Sequence, residues 1–577
     1  MNLVKKNCLR ALGLIAMCSA CAQVLTATPA SPPLSLQVRI WNTESSSFFP
    51  EREDPVLRVP WLDDSRPVGI ALSGGGTRAA AAALGQLRVL RMLGWMPYVG
   101  YISSVSGGSW TAVPYTYLPG DVHREEIFMG KFHCPENLNE SNLKLQPKGS
   151  MTRAINHAWV AWKSFFQILL LRGDESFSGG LGNTFLRPFG LEDRSKFFSF
   201  HQEALNAALA ANPHLRADDF FLARVGRPYL IVGATLIAQP GPRHRDELFP
   251  VEITPLYTGI QRRFSARNGH PVGGGYVESF GYDSRIKPNK LPGDGARISS
   301  LKVLLGRKRY RFTLSDVIGA SGSAPQSFVN KLYLDLIGFP EFRTWPIRRD
   351  KKEKEYSYGD GGHIDNIGLF PLLSRHTPKI IVFINSSATF NVEKNPLNEY
   401  PLYGDLIHYF RNPRPGGPPA AEEKARTAED FAKVSAPDPS RVVIANGEAR
   451  LQQLFTAFVN DRRQGRPLVY CDNYKIVNNR RFGVTPYEAS ICWVYLDTAK
   501  RWLDKLDKND KLLQTVTGGN FPQFSTFFDS SLEVIRLTPA ETNALSNFTA
   551  WSVLESRKEI ERVLGLPSTP VAEQCQL

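Results

Sequence analysis

Two glycine-rich turns between Gly69 and Trp110 constrain this chain more than any other feature of its sequence. The turns are SGGGTR and SVSGGS, and each follows a short strand-like run and precedes a helical one. Val68 to Leu72 has the aliphatic composition of a buried strand. From Thr77, leucines recur along one side of a predicted helix, which Gly94 ends. The segment therefore predicts strand, turn and helix twice in succession.

Ser106 lies in the second glycine turn, where a strand end meets a helix start. The run from Ser104 to Gly108 is GxSxG with serine in place of the first glycine. Such an elbow is a strained turn, so its neighbours must be small. We therefore predict that Ser106 is the nucleophile of an acyl-transfer reaction. The alternative is an ordinary loop serine in a glycine-rich turn.

The first glycine turn has the composition of an oxyanion hole. Three consecutive glycines before a helix start supply unobstructed backbone N–H groups at the positive end of a helix dipole. Gly75 and Gly76 are the predicted oxyanion donors. The alternative is a phosphate-binding loop, but GxxxxGK[ST] is absent and the third glycine of GxGxxG is missing at the required spacing.

These two motifs and GDGGHIDNIGLFPLL at residues 359–373 resemble the three signatures of patatin-like hydrolases. Within that family the chain is most similar to the branch of the cytosolic phospholipases and fungal phospholipase B. Further similar stretches extend over nearly the whole chain: RPYLIVGAT (227–235), VEITPLYTG (251–259), IGASGSAPQSF (318–328), KIIVFINSSA (379–388) and FPQFSTFFDSS (521–531). The departures from the pattern are Ser104 for the usual glycine and an N-terminus of bacterial appearance.

The resemblance implies a three-layer α/β fold with a central mixed sheet flanked by helices. It also implies a lipid acyl hydrolase with a Ser-Asp dyad, in which Asp360 is the base, and it implies no cofactor. An isolated Asp-Gly pair is usually a turn, so the role of Asp360 comes from the resemblance alone. Arg78 has the position of the arginine that relatives use for the lipid phosphate, and a guanidinium suits that contact. The expected partners are a phospholipid or lysophospholipid substrate and a membrane surface, without nucleic acid.

Two alternative functions are open at this point. A Ser-Asp-His esterase would recruit His363, His376 or His408, in the chain order of such triads. His363 lies only three residues after Asp360, which is too close for the usual arrangement on separate loops. The second alternative is a non-enzymatic envelope protein that binds lipid with a relic site, but the intact nucleophile, base and glycine turn argue against it.

Composition and charge indicate a globular protein with a basic surface. The 577 residues are 42% hydrophobic and 21% charged, which is enough for one large or two ordinary domains. The formal net charge is +14. Because no nucleic-acid motif occurs, a basic surface is explained equally by contact with anionic lipid and by solubility.

The predicted organisation is a leader, a tether and one catalytic domain. Residues 1–22 have the charge and hydrophobicity of a secretory signal, residues 23–66 are predicted to be a tether, and 67–577 the catalytic domain. Inside it we predict a mostly helical insertion at about 115–223, loops at Gly273–Gly275 and 289–295, and a mobile loop at about 412–440. The tether is too short for a calcium-dependent lipid-binding module, so calcium is not expected.

The most apolar stretch after the leader is Ile155 to Leu171, within the predicted insertion. A helix buried against the sheet explains it best, and the alternative is an exposed lid or lipid-contacting helix. Four cysteines follow the leader, and they allow three disulfide pairings: Cys134, Cys471, Cys492 and Cys575. Metal binding is not predicted, because neither CxxC nor HExxH spacing occurs.

Export predicts a processed N-terminus. Signal cleavage after Ala22 would begin the mature chain at Gln23, whereas a lipoprotein signal would leave an acylated Cys21. Mass spectrometry of the mature N-terminus distinguishes the two, and Cys21→Ser should release the protein from membranes only in the lipidated case. An intact Met1 on a cytoplasmic protein would refute export to the periplasm, the outer membrane or the medium.

Overall fold

The computed structural model describes the chain from residue 34 to residue 568 with eleven internal gaps. The described ranges are 34–43, 48–62, 65–157, 176–238, 248–266, 269–286, 297–305, 311–323, 340–347, 353–412, 441–525 and 537–568. The described residues from Ser35 onward belong to one compact unit. The predicted leader, most of Ile155–Leu171, the loop at 289–295, residues 413–440 and Cys575 lie outside the described residues.

Sixteen strands are described. They are β1 (Ser35–Asn42), β2 (Val68–Leu72), β3 (Val99–Val105), β4 (Phe197–Ser199), β5 (Phe220–Leu222), β6 (Tyr229–Ile237), β7 (Leu248–Ile253), β8 (Tyr257–Ser265), β9 (Pro271–Glu278), β10 (Ser284–Ile286), β11 (Ile298–Leu305), β12 (Glu341–Thr344), β13 (Lys354–Asp360), β14 (Lys379–Ile384), β15 (Leu468–Ile476) and β16 (Tyr487–Tyr495).

A single 14-stranded mixed sheet organises the unit. Its order is β10-β11-β1-β9-β8-β7-β6-β3-β2-β14-β16-β15, and β13 joins it through β6 and carries β12. The central strands β6, β3, β2, β14 and β16 are parallel, whereas the outer pairs are antiparallel. Every residue of β2 and β3 is buried, as expected for parallel strands covered on both faces.

The helices flank this sheet. They are α1 (Pro50–Glu53), α2 (Gly76–Met92), α3 (Gly107–Tyr117), α4 (Val122–Met129), α5 (Glu140–Leu143), α6 (Ser176–Phe185), α7 (Gln202–Ala211), α8 (Leu314–Ser321), α9 (Gly362–Asp365), α10 (Phe370–Ser374), α11 (Gly404–His408), α12 (Gly447–Arg463), α13 (Lys500–Asp504), α14 (Lys511–Thr517), α15 (Pro539–Glu555) and α16 (Arg557–Leu564). A further helical stretch covers 151–157. The predicted α/β class, with a central mixed sheet flanked by helices, is confirmed.

Helix α2 is buried over nearly its whole length because α15 packs against it. Its alanine run and Gly85 allow this close approach. A Cβ on Gly85 would lie 2.0 Å from the carbonyl oxygen of Ser546, and the hydroxyl of Thr549 donates to the carbonyl of Ala82 at 3.1 Å. The leucine pattern predicted that one side of this helix is buried. The other side is buried as well, because its own alanines and Gly85 pack against α15.

The predicted tether at 23–66 is wrong for residues 35–43 and 48–62, which belong to the compact unit. Strand β1 pairs with β11 and β9 inside the sheet. Glu51 is fully buried, and its Oε1 lies 2.7 Å from Nε of the equally buried Arg375. Arg375 also binds Glu252 at 2.8 Å. This buried ion pair connects the segment to Arg375, just before β14, and through it to Glu252 in β7. Removing one partner would leave an unpaired buried charge, which is strongly destabilising.

Two further elements differ from or extend the sequence prediction. Gly273–Gly275 lies within strand β9, not in a loop, because β8 and β1 both pair with that region. Strands β15 and β16 form a C-terminal hairpin, and Cys471 and Cys492 face each other across it in a disulfide. Among the helices that the structure describes, none is both long and apolar enough to span a membrane.

Candidate active site

Ser106 occupies a strained elbow between β3 and α3. Its φ of 49° and ψ of −124° lie in a region that non-glycine residues rarely adopt. The carbonyl of Ser106 accepts the N–H of Ser109 at 2.9 Å, so the helix starts directly behind the side chain. Ser104, the departure from the GxSxG pattern, is fully buried in β3. The backbone at Ser106 thus has the form that a nucleophile elbow requires.

Strand β6 brings the elbow and Asp360 together. Val105, the last residue of β3, pairs with Gly233, and Asp360, the last residue of β13, pairs with the next residue, Ala234. Because β7 occupies the other side of β6, the carboxyl ends of β3 and β13 meet end to end on one side. The approach of two residues far apart in the sequence follows from this pairing.

Two hydroxyl groups fix these strand ends to β6. Ser321 accepts the N–H of Ser106 at 2.9 Å and donates to the carbonyl of Gly233 at 2.7 Å. Thr235 donates to the carbonyl of Asp360 at 2.8 Å. Both hydroxyl groups are buried, where an unmade hydrogen bond is costly. They hold the backbone of the predicted nucleophile and base in fixed positions.

The predicted base is oriented by its own loop. Oδ1 of Asp360 accepts the N–H of Gly362 at 2.7 Å, and the residue is only 4% exposed. Ser106 is 7% exposed. Gly361 packs closely, since a Cβ there would lie 2.4 Å from the carbonyl oxygen of Gly233. The two side chains therefore belong to a site that is largely closed to bulk water.

The two glycine turns pack directly on each other. A Cβ on Gly107 would lie 2.0 Å from the carbonyl oxygen and 2.7 Å from the nitrogen of Gly76. The N-termini of α2 and α3 therefore meet beside Ser106, and neither helix has an acidic residue in its first turn. Paired helix N-termini favour negative charge at this point. The N–H of Gly74 donates to the carbonyl of Asn366 at 2.8 Å. Gly75 and Gly76 stay the predicted oxyanion donors.

Arg78 lies next to this loop, but its side chain is fully buried. Its Nε donates to the carbonyl of Asn385 at 3.0 Å and its Nη1 to that of Phe524 at 2.6 Å. A Cβ on Gly75 would lie 2.6 Å from its Nη2. The guanidinium thus packs against the glycine loop and supports it. Contact between Arg78 and a lipid phosphate stays a prediction.

Two of the three histidines of the alternative triad, His363 and His376, lie away from the Asp360 side chain. The ring of His363 lies against Gly359, because a Cβ there would be 3.1 Å from its Cδ2. Successive strand residues point to opposite faces, so the ring is not on the face of Asp360. His376 is exposed before β14, at the opposite end of the parallel strands from Ser106. Burial lowers the pKa of His408 to about 4, and its Nε2 lies 3.5 Å from the hydroxyl of Tyr400.

Sequence reasoning singled out neither Ser321 nor Asn366, although both lie in the stretches that carry the resemblance. Ser321 is in IGASGSAPQSF and Asn366 in GDGGHIDNIGLFPLL. For Ser321, a polar residue inside a run of small residues was the available signal. Their partners are backbone groups of remote segments, which no local pattern reveals.

Comparisons with known proteins give likeness in structure alone. No family model and no curated protein sequence matches this chain. Human GIVD cytosolic phospholipase A2 matches with a TM-score of 0.46 and 13% identity, over 87% of this chain and 60% of that one. Two complexes of the human protein with methyl gamma-linolenyl fluorophosphonate, one of them also with terbium chloride, are likewise 13% identical over 87% of this chain. Their TM-scores are 0.37 and 0.36, over 59% and 60% of their chains. This chain thus spans about three-fifths of the length of these structures, and the likeness assigns no activity.

Removing each histidine should separate a dyad from a triad. Because the ring of His363 lies on the other face of β13 from Asp360 and His376 lies at the far end of the parallel strands, the dyad needs no imidazole. We expect His363→Ala, His376→Ala and His408→Ala each to keep esterase turnover within about tenfold, or about 1.4 kcal/mol. Asp360→Asn should lose about 100-fold or more, the low end of what losing a general base costs. Turnover is measured on a chromogenic ester. A histidine variant as inactive as Asp360→Asn would contradict the dyad.

Proposed function

We propose that this chain is an exported lipid acyl hydrolase that cleaves carboxylic ester bonds through a Ser106–Asp360 dyad. The observation that carries the proposal is the meeting of the strained Ser106 elbow and Asp360 on one side of β6, beside two helix N-termini. Nucleophile, base and a place for negative charge are the three requirements of acyl transfer.

In this mechanism Asp360 takes the hydroxyl proton of Ser106 as Oγ attacks the ester carbonyl carbon. The carbonyl π electrons move to oxygen, and the backbone N–H groups of Gly75 and Gly76 bind the resulting oxyanion. Collapse of the tetrahedral intermediate breaks the bond to the alcohol, which receives the proton from Asp360. Asp360 then deprotonates a water, whose attack releases the fatty acid and restores Ser106.

The lipid substrate and the exported location rest on sequence features. The motifs around Ser106 and Asp360 resemble those of lipid acyl hydrolases, and the net charge of +14 suits a surface that meets anionic lipid. Phospholipid or lysophospholipid is therefore the proposed substrate class. The signal-like segment at 1–22 supports the periplasm, the outer membrane or the medium as the location.

Replacing the nucleophile tests the proposed activity. Ser106→Ala should abolish ester hydrolysis and fluorophosphonate labelling while the protein still folds, because only the attacking hydroxyl is lost. Ser103→Ala is the matched control, since it removes a buried hydroxyl from β3, the strand that leads into the elbow. Turnover like the wild type in Ser106→Ala would refute the assignment. An inactive, unlabelled wild type would favour the non-enzymatic lipid-binding alternative.

Arg78→Ala tests whether the arginine recognises phosphate or supports the loop. Because the side chain is buried and bonded to two carbonyls, we expect equal losses on phospholipids and on uncharged short-chain esters, with about 2 kcal/mol or more of stability lost. Arg78→Lys should not rescue either substrate, since one ammonium cannot span both carbonyls. Arg91→Ala, in the last turn of the same helix, is the control. A loss confined to phospholipids, with unchanged thermal unfolding, would establish the phosphate contact.

A further inference from the structure

Asn366 is the residue at which the oxyanion turn and the base loop meet. It follows α9, six positions after Asp360. Its carbonyl oxygen accepts the N–H of Gly74 at 2.8 Å, so its backbone is bonded to the first of the three glycines. Its side-chain Nδ2 donates to the hydroxyl of Tyr403 at 2.7 Å. One residue thus contacts the oxyanion turn and the start of α11.

The side-chain oxygen of Asn366 lies between the two halves of the proposed dyad site. Its Oδ1 is 2.1 Å from the position that a Cβ on Gly74 would occupy, and that position is 3.0 Å from Cβ of Ser106. Oδ1 is also 2.6 Å from the corresponding position on Gly362, which is 3.0 Å from Oδ1 of Asp360. The carboxamide therefore fills the space between the oxyanion turn and the base loop, where neither glycine could carry a side chain.

We propose that Asn366 is a positioning residue that sets the separation between the oxyanion donors and Asp360. The inference rests on the proposed hydrolase function and adds a residue to it. The backbone carbonyl fixes Gly74, the planar carboxamide spaces the two loops, and Tyr403 fixes the rotation of that carboxamide. Acyl transfer needs this separation held closely, because a misplacement of about 1 Å at a reacting group costs on the order of 100-fold in rate.

Neutrality is part of the proposed role. Asp360 carries negative charge before reaction and the oxyanion carries it afterwards, so a spacer between them must not be anionic. Asparagine has almost the shape of aspartate without its charge. Among the described residues, the other ionisable side chains on α9 are His363 and Asp365, and Tyr409 and Arg441 are bonded to this helix. Asp365 is held by the N–H groups of Gly368 and Phe370 and by the hydroxyl of Tyr409, and Arg441 binds Asp405.

The test uses three variants of the full chain on an uncharged chromogenic ester. Asn366→Ala should lower kcat about 10- to 100-fold, because the spacing between the reacting groups is lost. KM should stay within about threefold of the wild type, because Asn366 is not proposed to contact the substrate. Tyr403→Phe should give a smaller loss of kcat. In the double variant Tyr403→Phe should have no further effect, because the hydroxyl acts through the carboxamide. Additive losses of kcat would overturn the link through Tyr403.

The pH profile of Asn366→Asp distinguishes a positioning role from a purely structural one. A new carboxylate beside Asp360 raises the pKa of the base, so the acidic limb of the kcat/KM profile should shift upward by about one pH unit. Asn398→Asp, in an exposed loop, adds the same charge and should leave the limb in place. An unmoved limb in Asn366→Asp, or an Asn366→Ala variant with wild-type kcat, would refute the inference.

These outcomes are distinct from failure of the proposed function. If the wild type neither hydrolyses esters nor reacts with a fluorophosphonate, the hydrolase proposal itself fails. If the wild type is active and Ser106→Ala is not, the Asn366 variants alone decide the positioning role. Thermal unfolding of each variant identifies a loss of kcat that comes from misfolding, and Tyr403→Phe, which removes one oxygen atom, then carries the test.

Discussion

Main-chain hydrogen bonding along one side of β6 is the constraint on which the candidate site depends. The strand pairs with β3 up to Gly233 and with β13 from Ala234 onward. A strand has only one set of hydrogen-bonding groups on each side, so the two partners can meet only end to end. Ser106 and Asp360 are placed by this meeting, and a shift of register in either pairing would separate them.

A second constraint is the contact between the backbones of Gly76 and Gly107. A methyl group at Gly107 would overlap the Gly76 peptide, so the two turns approach as closely as backbone allows. The result brings together the N-termini of a 17-residue and an 11-residue helix. Their dipoles add at one point, and buried surroundings screen them little. Arg78 stabilises the same arrangement, because its buried guanidinium packs against Gly75 in the first of these turns.

The sequence predicts the local parts of this arrangement better than the parts made by remote segments. A strand, a glycine turn and a helix, repeated, were enough for the elbow at Ser106, and the resemblance of the motifs was enough for the α/β class. Strand β1 was missed although its sequence, SLQVRIWN, alternates apolar and polar residues as a half-buried strand does. It follows a Thr-, Ser- and Pro-containing segment that resembles a linker, and its partners, β11 and β9, lie more than 200 residues away. The partners of Arg78 are equally distant, at Asn385 and Phe524. The sequence position of Arg78 beside the glycine turn predicted that it lies near the turn, but not that its side chain is buried.

The proposed mechanism moves negative charge in a direction that the fold favours. Before the reaction the charge is on Asp360, at the end of β13, and after proton transfer and attack it is on the substrate oxygen beside α2 and α3. The carboxylate starts with a backbone donor from Gly362, whereas the oxyanion meets two helix N-termini. One element thus stabilises the Asp360 carboxylate before the reaction, and two others stabilise the oxyanion formed during it. For that division to help catalysis the two elements must keep a fixed distance, which explains why a neutral side chain, Asn366, fills the space between them.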